Sequence, residues 1–154
     1  RMEESYEDAL EELKRSEHLY YVSLKYTRTV DVIRSLMDRF ILMYDHGFNC
    51  ILKYAKDNKK IDEIPGTPIG RAQTLQKDPM YEELGLDEYT DLYMYMRKMM
   101  RLPHAKREEY RRHVTMIVES GEEKEEINID ILGEWYQMAL VFMKKVKKLI
   151  AEEE

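Results

Sequence analysis

The sequence has little of several features that mark particular protein classes. It contains one cysteine, Cys50, in 154 residues. An intrachain disulfide is therefore excluded, and a reducing, cytoplasmic location is expected. The 6 glycines and 4 prolines are too few for a collagen-like or low-complexity chain. Purely apolar runs such as residues 40–44 are far shorter than the roughly 18 residues expected of a membrane-spanning helix. We therefore predict no membrane association.

The residues that are abundant are apolar and charged, at 44% and 36% of the chain. This length and composition predict one domain over residues 1–154 with enough apolar surface for a core. Glu, Lys and Arg are frequent whereas Asn and Gln are rare, a balance that resembles proteins of thermophiles. The net charge of −6 repels nucleic acid, so a nucleic-acid partner requires a local basic patch.

Helical periodicity dominates the sequence. Apolar residues recur at steps of three and four, which predicts an all-α fold, an antiparallel up-and-down bundle of about five helices. The first predicted helix begins after Ser5 and the second covers about residues 28–56. The third runs from Asp87 to Pro103 and the fourth covers about residues 104–120. The last carries an apolar seam from Leu132 to Leu149. The alternation over residues 127–131 is too short to overturn this interpretation.

Residues 57–86 interrupt the helical pattern. They hold three of the four prolines and three of the six glycines. A connector of this length is functional, partly helical near residues 79–83, or mobile. Gly47 lies inside the second predicted helix at a cost of about 1 kcal/mol relative to Ala. Close helix packing and a helix kink both explain that glycine.

The sequence predicts no metal site and no cofactor. A dinuclear metal bundle uses Glu-x-x-His on one helix face, and no histidine of this chain has Glu three residues before it. One cysteine and no His-x-x-x-His pair leave zinc without ligands. Residues 65–71 resemble a phosphate loop loosely, but they lack the Gly-Lys-Ser/Thr end that such a loop needs.

Three stretches place an arginine and a histidine with five or six residues between them. They are Arg39–His46, Arg97–His104 and Arg107–His113. The pattern resembles the HEPN family, small helical bundles whose nuclease members carry Arg, four to six residues and then His. The resemblance extends to the helix plan over about two-thirds of the chain. It implies an RNA-associated helical module. It also admits a metal-independent ribonuclease, in which Arg holds the phosphate and His transfers a proton.

Helix geometry ranks the three pairs. Arg39 and His46 lie within about 20° of each other on one helix face, which makes them the first candidate for catalysis. The second pair aligns only if Pro103 leaves the helix unbroken. The third pair diverges by about 120°, so we do not expect it to act on one phosphate.

Residues 97–113 form the only strongly basic stretch. On the predicted fourth helix several of its cations share one face, and Tyr93 and Tyr95 lie close enough in sequence to stack bases. The candidate nucleic-acid-binding residues are Arg101, His104, Arg107 and Arg111. The alternative is a solvated charged face that pairs with acidic helices or with an acidic protein partner.

Two apolar surfaces bear on the oligomeric state. The Met- and Tyr-rich stripe over residues 89–100 and the seam of the last helix fit either a core or a subunit interface. We predict a homodimer. Three functions remain open: an interaction module, RNA-associated and resembling HEPN proteins; a metal-independent ribonuclease; and a purely structural assembly subunit.

Overall fold

The computed structural model describes residues 1–77 and 79–153, which form five helices and a small sheet. Helix α1, Met2–His18, continues through a π-helical turn, Leu19–Ser23, and a last helical turn, Leu24–Tyr26. The other helices are α2, Val30–Asp57; α3, Pro68–Lys77; α4, Asp87–Arg101; and α5, Ile129–Glu153, with a 3-10 helix at Pro79–Leu84. The strands are β1, His104–Arg107; β2, Thr115–Ser120; and β3, Glu123–Asn128. Within the described ranges, every helix is too short or too polar to cross a membrane.

The predicted all-α fold is wrong between residues 104 and 128. The segment predicted as the fourth helix, and the acidic residues 122–126 that follow it, form a three-stranded antiparallel sheet in the order β1-β2-β3. The β-branched residues of 114–118 favour strand over helix. Gly121, with φ +66, opens the two-residue turn between the paired Ser120 and Glu123. Glycine in that position is typical of a tight β-hairpin.

The helices α2, α4 and α5 lie where the periodicity predicts helices. At the start of α2, the Thr29 hydroxyl accepts a hydrogen bond from Val32 N at 3.3 Å, which satisfies one of the free amides of the first turn. The segment predicted as a connector contains α3 and the 3-10 helix. It is therefore about half helical, with no helix over residues 58–67, and residue 78 lies outside the described residues.

An aromatic cluster joins α2, α4 and α5 in the core. The ring centroid of Phe142 lies 4.8 Å from that of Tyr44, 5.4 Å from Tyr89 and 5.5 Å from Phe48. A Cβ atom on Gly47 would lie 2.8 Å from Cζ of Phe142, closer than carbon atoms approach. Close helix packing therefore explains this glycine, and α2 is continuous through it.

The sheet packs one face against the helices and its first loop against the start of α2. Met116, Val118 and Ile127 on the inner face are fully buried. In the β1–β2 loop, Tyr110 N donates to the carbonyl oxygen of Arg28 at 2.6 Å. The loop is thereby fixed to the turn between α1 and α2.

Candidate nucleic-acid interface

Arg39 and His46 lie on one face of α2 but have different surroundings. Arg39 Nη1 donates to Glu12 on α1 at 3.0 Å, and the same carboxylate accepts from Arg15 at 3.0 Å. His46 is half-buried beside Asp45. The guanidinium of Arg39 is thus directed to α1, and no contact within the described part of the chain joins it to His46.

Arg97 and His104 are separated by the end of α4. The Arg97 guanidinium lies 5.6 Å from the ring centroid of Tyr93 and donates to its hydroxyl at 3.4 Å. His104 Nδ1 accepts from Arg34 on α2 at 3.4 Å. Partial burial, together with the positive charges of Arg34 and Lys106, lowers the pKa of His104. Near neutral pH His104 is therefore an uncharged acceptor.

One residue of each pair, Arg97 and His46, instead lies near the Asp45 carboxylate. The Tyr93 hydroxyl donates a short hydrogen bond to the Asp45 carboxylate. Burial raises the pKa of Asp45, and the opposing influences are the Tyr93 hydrogen bond and the positive charges of Arg97, Arg71 and His46. This cluster links α2, α3 and α4 through charge as well as packing.

The raised pKa of Asp45 predicts a pH-dependent stability. A carboxyl group whose pKa is higher in the folded than in the unfolded state lowers the free energy of unfolding once it ionises. This loss develops as the pH rises from the ordinary pKa of 3.8 through the raised pKa. Asn at this position keeps an acceptor for the Tyr93 hydroxyl and carries no charge. We therefore expect Asp45→Asn to raise Tm at about pH 7 and to leave it unchanged at about pH 3.

Thermal unfolding followed by circular dichroism measures this effect. Asp62→Asn, at an exposed position of the connector, is the matched control. A lower Tm for Asp45→Asn near neutral pH would show that the ionised carboxylate is net stabilising.

The four candidate nucleic-acid-binding residues do not share one face. Arg101 ends α4 and is exposed, and Arg111 is exposed in the β1–β2 loop. His104 and Arg107 lie on opposite sides of β1, because side chains alternate along a strand. Arg107 donates to both oxygens of Glu126, at 2.6 and 3.3 Å. The predicted helical strip is therefore absent.

A pocket of about 360 Å³ lies instead at one end of the sheet. Arg107, Thr115 and Asn128 stand opposite one another across the three strands and form its floor. Further lining residues are Arg28 from the α1–α2 turn and Glu108, Arg112 and His113 of the β1–β2 loop. Residues distant in sequence are thus brought to one concave surface.

Positive side chains outnumber carboxylates in this pocket. Three arginines line it, against the two carboxylates Glu108 and Asp130, and one of these arginines, Arg107, is paired with Glu126. Arg28 Nε is buried and has no hydrogen-bond partner in residues 1–77 and 79–153. Buried donors of native proteins are nearly always paired, so this one indicates a place for a missing acceptor. Arg112 also has no ion pair within the described residues.

The first turn of α5 completes the pocket. Asn128 Oδ1 accepts from Ile131 N at 3.0 Å and caps the helix, and Ile129 lines the pocket beside it. Helix N-termini favour negative charge because free amides and the helix dipole point there. The start of α2 shows the same preference, since Val30 N donates to the Glu109 carboxylate at 2.9 Å.

Two exposed aromatic rings lie close to the pocket along the chain. Tyr110 is 76% exposed and Tyr26 is 77% exposed. Tyr110 is held next to Arg28 by its backbone hydrogen bond, and Tyr26 is two residues from Arg28. Tyr110 has φ +67 and Glu108 has φ +54, conformations that side chains bulkier than glycine rarely adopt. Such strain is often found at functional sites.

The sequence indicates a basic stretch, but it does not single out Arg28 or Arg112 as site residues. It also does not show that Arg107 and His113 line the same pocket. We expected the last two to diverge by about 120° on a helix, yet they line one pocket. The β-branched run before Gly121 was the signal that pointed to a hairpin here. Arg28 carries no such signal, because its place depends on tertiary contact.

No protein-family model, curated protein or solved structure matches this chain. Its candidate function is therefore argued from geometry and chemistry alone. In the ranges that the structure describes, no three His, Cys, Asp or Glu side chains are grouped to hold a metal ion.

Proposed function

We propose that this protein binds single-stranded RNA at the pocket between the β1–β2 loop and the start of α5. The observation that carries the proposal is the convergence of Arg28, Arg107, Arg112 and His113 there, with Arg28 Nε left unpaired. Guanidinium groups bind phosphate through paired, charge-assisted hydrogen bonds. The negative net charge of the whole chain confines this attraction to the pocket and its surroundings.

Single-stranded RNA fits better than a duplex because of the two exposed tyrosines. Unpaired bases stack on aromatic side chains, whereas the bases of a duplex are already stacked on one another. Tyr110 and Tyr26 offer such rings close to the candidate phosphate site. A phosphate in the pocket and a base on Tyr110 would belong to the same or the adjacent nucleotide.

Metal-independent RNA cleavage is a second candidate function at the same pocket. The observation that favours it is the presence of His113 beside Arg107 and Arg112. Histidine transfers protons near neutral pH, and arginine stabilises a phosphate that gains charge. Cleavage and binding are separated by whether the RNA is recovered intact.

Fluorescence anisotropy with an internally labelled oligouridine of about 12 nucleotides tests the proposal. We expect saturable binding that weakens with salt, with a log–log slope of about −2 if three phosphates are contacted. Arg112→Ala should weaken binding and reduce the slope by about 0.7. Lys148→Ala is the matched control, because it removes one exposed charge about 28 Å away along α5.

The outcomes separate the candidates. Absence of binding at low salt would overturn the proposal, and so would equal losses in the two variants. Displacement of the RNA by polyglutamate at equal charge concentration would favour an acidic protein partner instead. Shortened RNA on a denaturing gel, with its length preserved by His113→Ala, would establish cleavage.

A further inference from the structure

The pocket gathers its positive charge at one point. A surface that follows an RNA backbone spreads its cations along a groove, so that successive phosphates are each contacted. Here Arg28, Arg107 and Arg112 line a single pocket of about 360 Å³ with the first turn of α5. Arg101 and Arg111 are exposed but do not line it.

Hydrogen bonds join the two segments that line one part of the pocket. Tyr110 N donates to the Arg28 carbonyl at 2.6 Å, and Val30 N donates to Glu109 at 2.9 Å. These two contacts join the β1–β2 loop to the α1–α2 turn. The arginines of the pocket are thus gathered beside this junction and do not extend along a groove, an arrangement that suits one phosphate group at a chain end.

We infer that the pocket binds the terminal phosphate monoester of an RNA strand in preference to an internal phosphodiester. The inference rests on the proposed RNA-binding function. A monoester carries nearly two negative charges near neutral pH and three terminal oxygens. An internal diester has a single charge and only two such oxygens. Arg107 is paired with Glu126, but Arg28 and Arg112 are in no ion pair within the described residues, and together with a helix N-terminus they suit the more highly charged group.

The exposed ring of Tyr110 supports the same assignment. Its backbone borders the pocket through the hydrogen bond to Arg28, and its ring is 76% exposed. The base of a terminal nucleotide has one free face, because no neighbour stacks on its outer side. Tyr110 is placed to cover that face while the phosphate occupies the pocket.

A competition experiment tests the inference. Three unlabelled oligouridines of equal length carry hydroxyl groups at both ends, a 5′-phosphate, or a 3′-phosphate. Each displaces the internally labelled strand. We expect one phosphorylated strand to compete at least about fivefold better than the hydroxyl strand, and the identity of that end gives the polarity of binding.

Variants assign the preference to the pocket. Arg112→Ala, at an exposed loop position, should remove the preference and leave weaker binding to all three strands. Arg28→Lys keeps the charge but loses the planar fork of donors, and should reduce the preference. Lys148→Ala should keep it in full.

Failure of this inference differs from failure of the proposed function. Equal competition by all three strands would overturn end recognition while RNA binding stands. A preference that persists in Arg112→Ala would also overturn it, because the phosphate would then bind elsewhere. Absence of binding by every strand would contradict the proposed function itself.

Discussion

Gly47→Ala should destabilise the protein although alanine is the better helix former. The new Cβ would lie 2.8 Å from Cζ of Phe142, a side chain with no exposed surface. Phe142 has little room to move, because Tyr44, Phe48 and Tyr89 surround its ring at 4.8 to 5.5 Å. Overpacking a core costs about 1–3 kcal/mol, and we expect the upper end of that range here because the ring is enclosed by its neighbours. The gain in helix propensity is about 1 kcal/mol.

We expect a net loss of about 2 kcal/mol and a fall in Tm of about 4–8 °C. Urea and thermal unfolding measure both quantities. Gly66→Ala is the control, because a Cβ there meets nothing within 4 Å. Phe142→Leu should recover part of the loss when combined with Gly47→Ala, since the two changes share one contact. A Gly47→Ala protein as stable as the parent would show that α2 and α5 separate freely.

The long helices were predictable because their apolar stripes extend over many turns. In α2, Ile33, Met37, Tyr44 and Ile51 all lie on the buried face, so a pattern of threes and fours recurs often enough to exclude chance. Gly47 shows the limit of this reasoning. The sequence indicates an unusual residue, but only the structure identifies Phe142 as its cause.

The sheet was not predictable by the same means because one of its strands has no pattern of its own. All four residues of β1, His104–Arg107, are exposed, so apolar alternation is absent. Its strand conformation depends on pairing with β2, in which Lys106 lies opposite Met116. In addition, Val114, Ile117 and Val118 occur at steps of three and one, which fits a helix as well as the end of a strand.

The candidate site was predictable only as a region. Positive charge is clustered in residues 97–113, a stretch that includes part of the β1–β2 loop. Side chains repeat every 3.6 residues around a helix but every two residues along a strand. A predicted helix therefore places His104 and Arg107 on one face, whereas they lie on opposite sides of β1. Arg28 is absent from that prediction because it precedes the loop by about 80 residues and is joined to it by a tertiary hydrogen bond.

Tyr110→Gly should weaken RNA binding without destabilising the fold. Tyr110 adopts φ +67, where a bulky residue costs about 1–2 kcal/mol relative to glycine. Glycine relieves that strain, and its greater freedom in the unfolded chain offsets about 0.5–1 kcal/mol of the gain. The backbone hydrogen bond to Arg28 is retained. We therefore expect an equal or slightly higher Tm.

Affinity should fall because the stacking ring is lost. Stacking of one base on an aromatic side chain contributes about 1–3 kcal/mol, so binding should weaken about tenfold. Tyr110→Phe is the matched control, because it keeps the ring and the strain and should bind like the parent. Anisotropy and thermal unfolding on the same three proteins give the comparison. A Tyr110→Gly protein that loses stability and affinity together would assign Tyr110 to the structure of the loop. An unchanged affinity would remove Tyr110 from the binding surface. A strained, exposed tyrosine whose replacement lowers affinity but not stability would have its explanation in binding alone.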